Sequence, residues 1–217
     1  MRGRRLNNIE EAYFGRPRPP EVNPTQFNDL VAQHSDWDPL RANAANFRTH
    51  TLKTLSGGSL AYRPSVYLLL FAGAFVLVSI GLLAIYLGGV NTAWYIPLLS
   101  GAVFAVSIII VFTSAPPVRF DKEQQAFVRG WGNQARKQSI PFRDIHALQL
   151  LTKISRVSNS SEFDSSVSFF EAYELNLVKN NGTRVYVTDS NRLDLARAEA
   201  REIADVLQVP LWDATGS

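Results

Sequence analysis

Three histidines, His34, His50 and His146, and no cysteine set the terms for any chemistry in this 217-residue chain. Disulfides, thiolate nucleophiles and cysteine-held zinc or iron–sulfur groups are excluded at once. His34 and His50, with Asp36 and Asp38, are metal-binding residue types. They lie, however, in a Pro- and Asn-rich stretch with no helical i, i+4 or strand spacing to aim them. His146 falls in an alternating, strand-like run, and a nucleophilic site there would need a serine and an orienting carboxylate beside it. Gly57-Gly58 precedes no strand-to-helix unit, so it is not read as a phosphate loop. The residues therefore predict no catalytic group, no metal and no cofactor, and a protein that is not an enzyme.

Two sets of residues point to binding instead. Six basic side chains, Arg119, Lys122, Arg129, Arg136, Lys137 and Arg143, stand against two acids between positions 119 and 143, whereas residues 144–217 hold seven basic and eleven acidic ones. A basic surface of this kind would attract anionic lipid, by about 1 kcal/mol per well-placed side chain. The second set is aromatic: Tyr13, Phe14, Phe27 and Trp37 interrupt an otherwise polar amino-terminal stretch. They are expected to anchor that stretch on the carboxy-terminal domain or on another protein.

The elements that must position these residues are set by where charge is missing. No Asp, Glu, Lys, Arg or His occurs from Pro64 to Val118. A hydrocarbon core of about 30 Å takes roughly 20 helical residues, so this block is long enough for two spans. Leu87-Gly88-Gly89-Val90-Asn91-Thr92 supplies the turn between them, giving a transmembrane hairpin over residues 64–117 with helices at about 65–87 and 94–112. Tyr62, Tyr67, Tyr86, Trp94 and Tyr95 mark the interfaces, and Pro116-Pro117 closes the second helix. Basic residues flank the hairpin and the turn has none, which places both termini in the cytoplasm. Gly73, Ala74 and Gly81 on the first helix, and Gly101-x-x-x-Ala105 on the second, are small residues whose spacing allows close packing, within the hairpin or against a partner. Neither helix carries an ionisable group, which disfavours an ion or proton pathway.

On either side lie unlike segments. Residues 1–63 form a cytoplasmic arm, largely irregular, with a short helix expected over 25–34 capped by Thr25 and weak strand alternation over 46–59. Residues 118–217 read as a cytoplasmic domain. A hairpin is predicted around Lys122-Glu123-Gln124-Gln125, with further strands over 138–142 and 146–151. Asn181-Gly182 joins strands over 173–178 and 183–187, and an amphipathic helix over about 191–209 ends at Pro210. Between them, the serine-rich stretch 155–168 is expected to form a loop. The fold class is a membrane α-helical hairpin plus an α+β domain.

Two apolar helices followed by Arg119-Phe120-Asp121-Lys122, Phe127-x-Arg129-Gly130-Trp131-Gly132, Ile140-Pro141-Phe142-x-Asp144-Ile145, a last hairpin and a helix ending in Val209-Pro210-Leu211 make a layout over residues 64–213. It resembles the bacterial membrane proteins with a cytoplasmic pleckstrin-homology-like (PH-like) domain, and is similar in layout to the photosystem I assembly membrane proteins. The resemblance implies a PH-like curved antiparallel sheet or barrel of seven strands, capped by the C-terminal amphipathic helix, that acts as a binding or assembly module. The expected function is a scaffold or assembly factor of the bacterial inner (cytoplasmic) membrane. Its partners would be membrane lipid and a membrane protein complex, with no nucleic acid. The alternative is an anionic-lipid-sensing module.

Overall fold

The computed structural model describes residues 19–42, 44, 49–90, 93–114, 117–130, 132, 139–161 and 164–216. It is a mixed α+β chain with two apolar helices and two sheets. The chain divides into two compact units, Met1–Asn46 with Asp144–Ser217, and Phe47–Arg143. The division cuts through the stretch 118–217 and splits the arm, because residues 60–62 pair with 118–120 in one sheet, whereas the part of the arm before residue 47 docks on residues after 144.

In the second unit a five-stranded antiparallel sheet runs in chain order, with β1 at His50–Thr54, β2 at Leu60–Pro64, β3 at Val118–Asp121, β4 at Ala126–Arg129 and β5 at Ile140–Pro141. Its core side holds Leu60, Tyr62, Phe120 and Phe127, with the two phenylalanine ring centroids 5.2 Å apart. The turn at Lys122 forms as the sequence predicts. Asp121 Oδ1 accepts from the N–H groups of Glu123 (3.0 Å) and Gln124 (3.1 Å), and Gln125 takes the left-handed conformation at φ 49°.

β2 and β3 are neighbours, with Leu60 opposite Phe120 and Tyr62 opposite Val118. The helical hairpin is inserted between these two paired strands. α2 (Val66–Leu87) starts at Ser65, whose Oγ accepts from the N–H of Leu68 at 3.2 Å, and α3 (Tyr95–Ser114) returns. α1 is the short arm helix Leu30–His34. α2 and the Tyr95–Phe112 part of α3 are long and apolar enough to cross a membrane, and only 17% of each window is buried.

The two helices meet along a seam of small polar residues. Leu68, Ala72 and Ser79 on α2, and Ile96, Ser100 and Ser107 on α3, are buried at the same offsets of four and seven residues. Ser79 Oγ donates to Ser100 O at 3.0 Å, Ser100 Oγ donates to Ser79 O at 2.9 Å, and Ser107 Oγ donates to Ala72 O at 3.0 Å. Packing within the hairpin does not use the small-residue set: Ala74, Gly81, Gly101 and Ala105 are exposed. Nothing lies within 4 Å of a Cβ built on Gly73, Gly81 or Gly101. Serine is as small as alanine and also satisfies a carbonyl, so the seam selects it.

The first unit holds a four-stranded sheet of β6 (Ile145–Ser161), β7 (Asp164–Lys179), β8 (Arg184–Ser190) and β9 (Leu211–Ala214), in the order β8-β7-β6-β9. β6 and β7 pair antiparallel along their whole length, as far as Ser161 opposite Asp164. The serine-rich stretch 155–168 is therefore mostly paired ribbon rather than the expected loop. Continuous ladder hydrogen bonds satisfy its backbone where side-chain pattern offers little guidance. β8 (Arg184–Ser190) follows the turn at Gly182, φ 78°. α4 (Leu193–Leu207) buries Ala196, Ala200, Ile203, Ala204 and Leu207 against the sheet. The N-cap is Arg192, without a side-chain cap bond. Beyond Pro210 the chain forms β9 (Leu211–Ala214), parallel to β6 with Leu148 opposite Leu211. Arg197 clamps β9 to the helix through Asp213 (2.7 Å) and Thr215 (2.8 Å).

Candidate functional site

Strand alternation sorts β6 and β7 into two faces. Leu148, Leu150, Leu175 and Leu177 lie on one. Ala147, Gln149, Leu151 and Lys153 lie on the other, opposite Val178, Asn176, Glu174 and Ala172. This second face is polar at its centre and still buried: Gln149, Glu174 and Asn176 are 0% exposed and Lys153 is 2% exposed. What covers it is the arm.

The arm docks in two parts of different chemistry. Its first part is apolar. Pro24–Phe27 is a 3-10 turn and Asp29 caps α1 through Oδ1 to the N–H of Val31 at 2.8 Å. The single helix expected over 25–34 is thus broken at Asn28, which sits at φ 48°. Ala32 joins Ala147, Val178 and Trp212 in a core cluster, with Phe27, Val31 and Trp37 packed against it. Phe27 stacks on Trp37 at 5.1 Å, and both rings lean on Trp212 at 6.1 and 5.9 Å. Trp37 Nε1 donates to Ala32 O at 2.9 Å, so its one polar atom is satisfied. Of the four predicted aromatic anchors, Phe27 and Trp37 are seated on this sheet, whereas Tyr13 and Phe14 lie outside the described residues.

The second part, from Asp36 to Arg41, is held by its main chain. Gln149 Nε2 donates to Asp36 O at 3.1 Å and Arg184 donates to Asp38 O at 2.7 Å. Glu174 accepts from the N–H of Leu40 at 2.7 Å and of Arg41 at 3.1 Å, one with each carboxylate oxygen. Lys153 Nζ donates to Arg41 O at 3.3 Å while it pairs with Glu174 at 3.2 Å and Asp189 at 3.0 Å. The side chains of Asp36, Asp38, Leu40 and Arg41 are themselves exposed. Besides Trp37, two side chains of this segment make contacts: Asp36 meets Arg184 at 2.7 Å, and the Arg41 guanidinium lies 4.0 Å over the Tyr186 ring.

Two carboxylates report the docking. The N–H of Asp38 bonds Asp36 and, against the opposing pull of burial, combines with the Arg184 charge to hold its carboxyl below the ordinary 3.8. Burial works to raise Asp29, but the bonds from His146 and Val31 outweigh it and lower that carboxyl too. His146 Nε2 sits 2.8 Å from Asp29 Oδ2, with its ring 5.8 Å from Trp212. It ties the arm down rather than addressing a serine.

The other sequence candidates are dispersed. His34 Nδ1 contacts Leu30 O at 2.7 Å, and His50 contacts Thr49 Oγ1 at 2.8 Å. Arg119 is exposed and pairs with Asp121 at 3.0 Å, while Lys122 and Arg143 are exposed in the turn after β3 and after β5. Arg119 stands opposite Val128 and Arg129 opposite Val118, so strand alternation puts the two arginines on opposite faces of their sheet. Arg136 and Lys137 lie outside the described residues.

Sequence reasoning missed Gln149, Lys153, Glu174, Asn176 and Arg184, because polar residues at period two on a strand look like a solvent face. The available signal was their density at the centre of the two longest strands opposite an arm rich in aromatics. Neither a protein-family model nor a curated protein matches the chain.

Proposed function

We propose that this chain is a membrane-anchored scaffold or assembly factor without catalytic activity, holding another membrane protein complex at the cytoplasmic side. The observation that carries this reading is the outward surface of the helical hairpin. Leu70, Leu77, Ile80, Leu87, Leu98 and Ile109 are each more than half exposed, an apolar expanse that a soluble protein does not leave open. Lipid is the solvent that suits it. The uncharged turn and the basic flanks orient the hairpin with both termini in the cytoplasm, and a bacterial inner membrane is the expected setting. The finer expectation of a PH-like domain rests on the two sheets and on α4 packed against the second of them. Among the described residues the stretch 118–217 holds seven strands, β3 to β9, divided between the two sheets.

Photo-cross-linking in native membranes, followed by purification in mild detergent, tests the scaffold. A discrete membrane-protein adduct is expected, and a solitary protein under both conditions would remove the reading. The exposure of Arg119, Lys122 and Arg143 supports the second reading, anionic-lipid sensing. In that case a Lys122→Glu, Arg143→Glu variant would lose association with phosphatidylglycerol over phosphatidylcholine in nanodiscs.

A further inference from the structure

The polar face of the second sheet binds the arm segment Asp36–Arg41 through main-chain atoms, which raises the question of whether it serves this segment alone. A face built only to hold its own arm would be expected to use apolar contacts, since replacing a buried ion pair by well-packed hydrophobic residues is often neutral or stabilising. Here four of the anchoring groups, Gln149, Lys153, Glu174 and Arg184, reach carbonyls and N–H groups at positions 36, 38, 40 and 41. Those groups are common to any polypeptide. Of the side chains at these four positions, Asp36 meets Arg184 and Arg41 lies over Tyr186, while Asp38 and Leu40 are exposed.

The same chemistry makes the contact reversible. When an apolar face loses its cover, the cost scales with the apolar area exposed to water. When Lys153, Glu174 and Gln149 lose theirs, water replaces each hydrogen bond, so the net loss per bond is small. The apolar part of the arm that precedes this segment, with Phe27, Val31 and Ala32 packed on Ala147, Val178 and Trp212, serves as a tether for the polar part that lifts. Asn176 Oδ1, buried on this face and without a hydrogen-bond partner among the described residues, is an acceptor that the arm leaves unused.

We infer that the face formed by Gln149, Lys153, Glu174 and Arg184 is a peptide-recognition surface, that residues 36–41 are its built-in occupant, and that an irregular segment of a partner protein binds there by displacing them. The partner segment must present two consecutive N–H groups to Glu174 and carbonyls to Lys153 and Arg184. It therefore has no proline at the positions of Leu40 and Arg41, and it gains from an acidic residue at the position of Asp36, facing Arg184.

The test uses the full-length protein in detergent micelles and, as probe, a fluorescent acetylated peptide of the chain's own residues 35–42. Leu40→Pro removes one N–H to Glu174 from the tethered arm without altering the face, and Asp36→Ala with Trp37→Ala weakens it by a separate route. Both variants should bind the peptide at least about tenfold more tightly than the wild type, whose own arm competes. A peptide N-methylated at the Leu40 and Arg41 nitrogens should bind at least about tenfold more weakly, while Leu40→Ala in the peptide should change affinity less than about twofold. Failure of the peptide to bind either variant, or equal binding of the N-methylated peptide, would overturn the inference. Because the probe is the chain's own sequence, that failure would leave the scaffold reading standing on its cross-linking test.

Discussion

The chain buries polar groups in two places, the serine seam of the helical hairpin and the centre of the arm-covered sheet, and the two differ in what would replace their partners. In the hairpin, Ser79, Ser100 and Ser107 donate to main-chain carbonyls of the opposite helix. In the membrane proposed for the hairpin no water stands ready if those bonds open, so the seam is expected to stay closed. On the sheet, Lys153, Glu174 and Gln149 make equally buried bonds, but their partner is a short irregular segment with solvent on its far side. The lesson is that burial alone does not distinguish a permanent contact from an exchangeable one. The medium behind the partner does.

The largest effect that would break this comparison lies at Lys153. Lys153→Ala leaves Glu174 and the nearby Asp189 facing each other in a buried site. The expected cost is about 3–5 kcal/mol, the range for removing one partner of a buried pair. Urea unfolding followed by tryptophan fluorescence reads it. Lys153→Met with Glu174→Leu should recover most of that stability and yet fail to hold residues 36–41, because the apolar pair offers the arm neither a donor nor an acceptor. Stability and arm docking would then separate, and if they returned together the polar face would be only a structural brace.

Trp37→Ala comes next. It removes the ring stacked on Phe27 and leaning on Trp212, and frees the Ala32 carbonyl. The ring is half-buried, so the loss is expected at about 2–3 kcal/mol, below that of a fully enclosed tryptophan. Limited proteolysis should then cut between the arm and β1 under conditions that leave the wild type intact.

A smaller and graded loosening should follow acid. Asp29 and Asp36 are both held below the ordinary value of 3.8 in the folded chain, so the stability they contribute is fully present above that value. It is lost as the pH falls through their lowered values, and not near neutrality. Trp37 fluorescence should accordingly stay flat from pH 7 to about pH 5 and change only below about pH 4. Asp29→Asn and Asp36→Asn together should remove most of that acid transition.

Much of the fold was legible wherever a local pattern and the tertiary structure agree. The uncharged block and its glycine break announce α2 and α3, the turns at Lys122 and Gly182 announce their hairpins, and the 3.6-residue stripe from Ala196 to Leu207 announces α4. The unread parts depend on pairing at a distance. β9 is four residues after a proline, too short to carry a period, and exists because β6 offers it a parallel edge. The ribbon over 155–168 has the composition of a loop, and its register is inherited from the ladder begun at Val178. Of the candidate site, Phe27 and Trp37 were visible as aromatics out of place, while Lys153 and Glu174 were hidden by their own polarity. A strand face that is polar because it is wet and one that is polar because it binds a main chain share the same alternation.

The smallest effect sharpens the hairpin side of the comparison. Ser79 and Ser100 bond each other's carbonyls reciprocally, and their hydroxyls lie 3.0 Å apart. Interhelical bonds of this kind average about 0.6 kcal/mol in membrane bundles and reach about 1.7, because the separated helices also find partners. Ser79→Ala and Ser100→Ala should each destabilise the hairpin by that amount, measured by unfolding in mixed micelles. The double variant should cost less than the sum, since either single change already breaks the reciprocal arrangement. Gly101→Ala provides the contrast: its face is open, so the added methyl meets no neighbour and helix propensity alone should stabilise by about 0.5–1 kcal/mol. A loss at Gly101 with neutral serine variants would relocate the seam to the glycine face, and the bonds between Ser79 and Ser100 would then be incidental to how the helices pair.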